Sequence, residues 1–323
     1  TGADVRFLLE LPWLWLVAWF VPQRYWRGLC RRGERAKATL GFFDPAPVTR
    51  AMTAALGGVA PDAAIDAAAG RSECHLQVLR QLRPGGWRAP VRIEGAEAIE
   101  NARRDGGGCV LWIAHFCFTS LAAKMALAQA GHPVVHVSRP EHGFSKSRLG
   151  MALLNPIREW AERPYLAGRI VIDRRNPGAA LVAARRVVRQ GGIVSFTAGA
   201  WEGANPAAVR ILGGRLQWAL GAPAVALSTG VPIFPVFVLR GTDRALRVVI
   251  DQPVPPPAAE GLRASATAMA HRYAERTAPW VRRHPTEWRD WKNLIFGSPG
   301  GDPEDGTGPS ALGAAQEPED ETQ

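Results

Sequence analysis

Cysteine is scarce in this chain: Cys30, Cys74, Cys109 and Cys117 are all there is, with no CxxC pair and no zinc-ligand spacing. That excludes a disulfide framework and a zinc-ribbon module, and it makes free thiols in a reducing compartment the expectation. Lysine is also rare, supplying four of the 39 basic residues, so nearly all the positive charge sits on guanidinium groups. The most hydrophobic segment, residues 5–20, lacks membrane-spanning length: its uncharged part, 11–21, is eleven residues, against the roughly 20 that a spanning helix needs. No basic region precedes that segment and no small-residue cleavage site follows it, so a secretory signal is not expected. An internal repeat is missing as well, which excludes a solenoid. Aromatic residues do not interleave with the basic strands, which argues against nucleic acid as a partner.

What is present is enough for a large core. With 47% hydrophobic and 21% charged residues over 323 positions, the chain suits one large α/β domain or two small ones. The net charge is +10, yet seven of the 29 acidic residues and none of the basic ones lie in residues 302–323. The body is left with 39 basic against 22 acidic residues, a balance suited to an anionic partner: a phosphorylated substrate, an acidic lipid surface, an acidic carrier protein or nucleic acid. Three regions are expected. Residues 1–40 form an N-terminal amphipathic membrane-associating segment, 41–297 an α/β domain and 298–323 a disordered acidic tail. In the first, Trp13, Trp15 and Trp19 crowd the apolar stretch, Glu10 bounds it and Pro12 interrupts its start. Arg24, Arg27, Arg31, Arg32, Arg35 and Lys37 follow, with Tyr25 and Trp26 among them. This composition fits a helix lying at the headgroup level of an anionic membrane, on its cytoplasmic side. The alternative, less favoured by this composition, is a buried amphipathic helix that caps the domain.

The rest of the chain is arranged around residues 109–130. Val110 to Ile113 is a short apolar run opened by Gly106, Gly107 and Gly108, the pattern of a strand covered on both faces. His115 falls where that strand ends, and Phe118, Leu121 and Met125 then recur at helical spacing until Gly131 and Pro133. An imidazole at the carboxyl end of a sheet strand is placed for acid–base work. It is also open to the plainer reading of a hydrogen-bonded structural residue. Cys117 is readable as a nucleophile or as a small buried hydrophobe. Further strands are expected at 91–93, 133–137, 169–175, 193–196, 230–240 and 247–250, with helices between them. The stretch 197–214 is expected as a Gly- and Ala-rich loop, 216–229 as a helix, and 262–280 as part of a long terminal helix. Alternating strands and helices predict an α/β fold with a mainly parallel central sheet flanked by helices.

Three stretches in this order resemble the lysophospholipid acyltransferase superfamily, and within it the bacterial lipid A late acyltransferase branch. They are Ala114-His115-Phe116 after the buried strand, the run Gly168-Arg169-Ile170-Val171-Ile172-Asp173-Arg174, and Gly221-Ala222-Pro223 continuing through Thr229-Gly230-Val231-Pro232-Ile233-Phe234-Pro235-Val236. The Trp-rich start and the closing Pro285-Thr286-Glu287-Trp288 turn are similar too, so the resemblance covers about residues 7–293. In that family the histidine is followed, after four residues, by Asp or Glu; here Ser120 stands in that position. The family's acidic residue after the 193–196 strand is replaced by Thr197-Ala198, with Glu202 farther on.

The resemblance implies an acyltransferase on the cytoplasmic face of a bacterial inner membrane, peripheral or monotopic, with a role in lipid A-like, glycolipid or phospholipid metabolism. His115 is then the general base that deprotonates a hydroxyl or amine of a lipid acceptor as it attacks the thioester of an acyl carrier protein or coenzyme A donor. Ser120 is expected to hold the imidazole, with Glu202, Glu141 or Asp173 as possible sources of the missing charge. Arg169, Arg174 and Arg175 are expected to hold a substrate phosphate, with Arg139, Arg148 and Arg240 as weaker candidates. No metal and no bound cofactor are expected. A second reading, from the missing acid, is a catalytically inactive relative that serves as a lipid-binding or accessory membrane protein.

Overall fold

The computed structural model describes residues 2–104, 106–139, 143–144, 148–173, 175–199, 206–241, 243 and 245–297, with backbone alone for 2–7, 148 and 149. Four helices come first: α1 (Gly2–Phe20), α2 (Trp26–Thr39), α3 (Ala46–Leu56) and α4 (Ala63–Gln81). The alternating part follows as β1 (Val91–Glu94), α5 (Ala96–Arg103), β2 (Cys109–Ile113), α6 (Thr119–Gln129) and β3 (Val134–Ser138). It continues with α7 (Arg148–Leu153), α8 (Asn155–Glu162), β4 (Leu166–Val171), α9 (Pro177–Arg189) and β5 (Ile193–Thr197). A hairpin of β6 (Pro206–Ile211) and β7 (Gly214–Ala219) leads to α10 (Gly221–Thr229), β8 (Ile233–Arg240), β9 (Leu246–Ile250) and α11 (Leu262–Arg283). Two 3-10 turns, Pro285–Glu287 and Asp290–Asn293, come after α11.

The protein is α/β, with a seven-stranded sheet in the order β1-β9-β8-β2-β5-β3-β4. Every pairing is parallel except β8 with β9. Residues of β2 are buried throughout and alternate between two hydrophobic clusters, with Val110 and Trp112 in one and Cys109, Leu111 and Ile113 in the other. The clusters are therefore the two faces of the sheet. One face is covered by α10, α11 and the hairpin, the other by α1 and α6, while α4 contributes to both. Trp112 stacks on Tyr273 of α11 at 4.1 Å between ring centroids, and the Tyr273 hydroxyl donates to the Trp112 carbonyl at 3.1 Å. Burying rings of this size contributes on the order of 4–6 kcal/mol each, so the end of β2 is held firmly where the chemistry is expected.

The sheet also fixes where a crevice must open. From β2 the chain passes through α6 toward β3 on one side, whereas from β5 it passes through α10 toward β8 on the other. Helices that leave neighbouring strands on opposite faces part beyond the carboxyl ends of those strands, between β2 and β5.

Four local expectations need correction. Pro12 does not interrupt α1, which runs through it; both Pro12 and Leu8 are exposed, so water can reach the backbone groups that the proline ring leaves unpaired. The 197–214 stretch is not all loop, because alternate residues Ala207, Val209 and Ile211 are buried and pair with β7. The helix expected over 216–229 accordingly begins at Gly221. The strand expected over 169–175 ends at Val171, and Asp173 accepts the Arg175 backbone N–H at 2.9 Å, which starts the turn into α9.

Candidate active site

His115 stands two residues beyond β2, at the crevice between β2 and β5. The backbone around it is pinned on several sides. Ala114 N–H donates to Val236, the Ala198 N–H donates to Ile113 at 2.7 Å, and the Thr119 hydroxyl donates to the Ala114 carbonyl at 2.9 Å. The segment after α11 runs alongside: Phe116 forms an antiparallel bridge with Trp288, the Arg289 N–H donates to the His115 carbonyl at 3.0 Å, and the Cys117 N–H donates to Glu287 at 2.7 Å.

This docking brings Asp290 to the imidazole. His115 Nδ1 lies 2.8 Å from Asp290 Oδ1. The Asp290 side chain is 2% exposed, that of His115 30%. Asn293 Nδ2 donates more distantly to the same carboxylate oxygen, at 3.4 Å. Nε2 has no protein partner among the described residues, so the ring is held from behind and open in front. Gly199, just past β5, lies close to the pair: a Cβ there would come 3.2 Å from Nδ1, so a side chain at this position would make the imidazole give by a few tenths of an ångström. A carboxylate on Nδ1 fixes the proton there, leaves the Nε2 lone pair outward and stabilises the imidazolium that forms when Nε2 takes a proton.

No family model and no curated protein matches this chain.

Ser120 does not hold the imidazole. It is a half-buried residue in the first turn of α6, no hydrogen bond links it to the ring, and Nδ1 is already occupied by Asp290. Asp173 is used in its own turn. Glu202, Glu141 and Arg174 lie outside the described residues, as does the side chain of Arg148.

Two of the arginines expected to hold a phosphate, Arg169 and Arg240, are committed to ion pairs elsewhere. Arg169 pairs with Glu162 at 2.9 Å and Glu159 at 3.6 Å. The same Glu162 carboxylate, fully buried, meets Lys124 Nζ at 2.6 Å, and burial pushes the Lys124 amine down to about 8 despite that carboxylate. Arg169 thus shares one buried carboxylate with Lys124 and is a tie among α6, α8 and β4 rather than an open phosphate ligand. Arg240 meets Glu73 at 2.5 Å with its guanidinium 4.6 Å from the Phe118 ring centre. Arg139 is half-buried one residue past β3 and is not a free cation. Arg175 is exposed in the turn before α9.

Cys117 is 2% exposed, and burial pushes its thiol up to about 11, which removes the thiolate that nucleophilic attack needs. Among the described residues no group of three or more His, Cys, Asp or Glu side chains is placed to hold a metal. A cavity of about 390 Å³, lined by residues that include Gln81, Trp87, Met125 and Tyr165, contains none of the residues discussed for this site.

Proposed function

We propose that the protein is an acyltransferase that moves a fatty acyl chain from an acyl carrier protein or coenzyme A thioester to a hydroxyl or amine of a membrane lipid or glycolipid precursor. The observation that carries this reading is the His115–Asp290 pair at 2.8 Å with Nε2 open to the crevice. Nε2 takes the acceptor proton while the acceptor oxygen or nitrogen attacks the thioester carbonyl. The carbon–sulfur bond then breaks, and the imidazolium returns the proton to the departing thiolate. Asp290 holds the ring from behind and is a positioning residue. The acyl donor is a co-substrate, and the reaction needs no resident cofactor or metal.

The reading of an inactive lipid-binding relative drew its main support from the absent carboxylate, and Asp290 supplies one. The N-terminal segment favours work at an anionic membrane surface. Helix α1 buries Leu14, Val17 and Ala18 in the domain, and Lys37 of α2 ties it down through Glu10 at 2.7 Å. Its other side exposes Leu9 (77%), Trp13 (62%), Leu16 (53%) and Phe20 (73%), one stripe at helical spacing. Exposed Arg24, Arg27 and Arg32 follow it closely. No described helix is long and apolar enough to cross a membrane. A stripe of this kind beside guanidinium groups suits insertion at the headgroup boundary of an acidic bilayer.

One experiment reads both parts. Full-length protein is mixed with phosphatidylglycerol vesicles carrying, in turn, a lysophospholipid, a glucosamine-based lipid and a glycolipid, together with radiolabelled acyl carrier protein or coenzyme A thioester. Wild type is expected to sediment with the vesicles and transfer label to one acceptor. His115→Ala is expected to sediment equally and transfer at least a thousandfold more slowly. Trp13→Ser combined with Phe20→Ser is expected to stay in the supernatant. Equal transfer by wild type and His115→Ala, or none from wild type to any acceptor, overturns the transferase reading.

A further inference from the structure

Beside the His115–Asp290 pair lies a second concentration of charge, built from three elements. Helix α4 packs directly against the segment that carries His115: a Cβ on Gly70 would meet Cys117 Sγ at 3.2 Å, and the Cys74 thiol donates to the Cys117 carbonyl at 2.6 Å. Arg71, next to Gly70, therefore sits near the residue two places after the imidazole. Arg289 is the neighbour of Asp290, and its own backbone N–H holds the His115 carbonyl. Arg158 comes from α8, is 91% buried, and places its guanidinium 5.0 Å from the centre of the Phe144 ring. That same ring meets the imidazole of His75, one turn along α4 from Arg71, at 5.1 Å, and Phe144 is itself fixed by its N–H donating to Asn155 at 2.8 Å.

The three guanidinium groups share one neighbourhood. The His75 imidazole is held well below its usual range, first by burial and then by the charges of Arg158, Arg289 and Arg71. Nearby acids are already engaged: Glu34 by Lys37 and Ser72, Glu73 by Arg240, and Glu162 by Lys124 and Arg169. Among the described residues, none of Arg71, Arg158 and Arg289 makes a side-chain hydrogen bond or ion pair, and Arg158 Nε is buried without a partner. A buried cation left unpaired costs several kcal/mol. Arg158 is buried while Arg71 and Arg289 are half-buried, so an anion drawn in between them relieves the buried cation and is attracted by all three. A phosphate offers one negative charge as a diester and up to two as a monoester, with more oxygens for planar guanidinium forks than a carboxylate has.

We infer that Arg71, Arg158 and Arg289 form a phosphate subsite on the α4 side of His115 and hold a phosphate group of one of the two substrates. The identity of the bearer rests on the transferase reading; the phosphate affinity does not. Two bearers share this chemistry: the acceptor's headgroup phosphate and the phosphopantetheine arm of the acyl donor.

The test is calorimetric titration of the full chain with inorganic phosphate, glycerol 3-phosphate and pantetheine 4′-phosphate, with no acyl group present. The expected result is saturable binding of all three in mutual competition, weakened at least tenfold in Arg158→Gln and in Arg71→Gln and unchanged in His115→Ala. Whichever of the two organic phosphates binds more tightly names the bearer. Should Arg158→Gln fail to fold, the partly exposed Arg71→Gln decides by the same criterion. No saturable binding to wild type, or equal binding by wild type and the folded arginine variants, overturns the subsite. Loss of acyl transfer in His115→Ala with phosphate binding intact keeps this question separate from that of the chemistry.

Discussion

Two histidines near the middle of the sheet are bonded through Nδ1, and they are built for opposite purposes. His136, on β3, faces Ser195 across the β3–β5 pairing, with Nδ1 2.9 Å from Ser195 Oγ; the two residues are 3% and 0% exposed. His115 faces a carboxylate 175 positions away in sequence, and its ring is 30% exposed. A hydroxyl satisfies a buried imidazole without bringing a charge into the core, where an unpaired charge is costly. A carboxylate partner becomes useful when the ring must carry a proton, and that requires a face open to substrate. The sequence reading assigns a serine, Ser120, to the reactive histidine; in the structure it is the buried His136 that has a serine partner, Ser195.

The sharpest way to break this contrast is to remove the charge from Asp290 while keeping its shape. In Asp290→Asn the amide can donate to Nδ1, which leaves the lone pair on the wrong nitrogen and no negative charge behind the imidazolium. We expect kcat for acyl transfer to fall by about 10²–10⁴, with KM changed less than threefold, because the lost interaction acts on the transition state rather than on binding. Steady-state kinetics on the vesicle assay measures this. A loss confined to KM would mean that Asp290 shapes the substrate site and does not orient the base.

The smaller effect belongs to the other histidine. Ser195→Ala removes the hydrogen bond between Ser195 and His136 Nδ1 in a site that water does not reach. We expect a loss of about 1–3 kcal/mol in stability by denaturant unfolding, with kcat per folded molecule unchanged. A fall in kcat at full folding would place His136 within the chemistry and erase the contrast.

The two sites differ in how much of them the sequence reveals. The β2 strand and the histidine at its end were legible because Val110 to Ile113 form an unbroken apolar run bounded by glycines, and local pattern decides such a strand. Asp290 was not, since no spacing rule spans 175 residues and the closing segment must dock against 114–118 before the pair exists. A weak signal was nevertheless present. Asp290 stands between Trp288 and Trp291 with one arginine beside it, and an aspartate among buried tryptophans needs a polar partner. The β6–β7 hairpin was hidden for a different reason. Its turn is Leu212-Gly213, with φ of 53° and 78°, so a leucine occupies the left-handed position where Asn or Asp would have announced the turn. The commitment of Arg169 was hidden too, because Glu162 and Lys124 reach it from two helices that the sequence could place only in order, not in space.

Ser120 offers the smallest effect and the closest control on the carboxylate. If orientation of the imidazole comes from Asp290 alone, the hydroxyl in the first turn of α6 has no part in the reaction. Ser120→Ala should then leave kcat and KM within about twofold of wild type. It should change stability by no more than about 0.5 kcal/mol, because alanine is favoured in a helix by roughly what the lost hydroxyl contributes there. The informative variant is the double substitution. In Ser120→Asp with Asp290→Asn a carboxylate returns at the position the family resemblance implies, on α6. Activity at the level of Asp290→Asn alone means that only the segment after α11 reaches Nδ1; recovery of tenfold or more means that the ring can be held from either side, and the docking of 285–290 on 114–118 is then not what selects the reactive histidine.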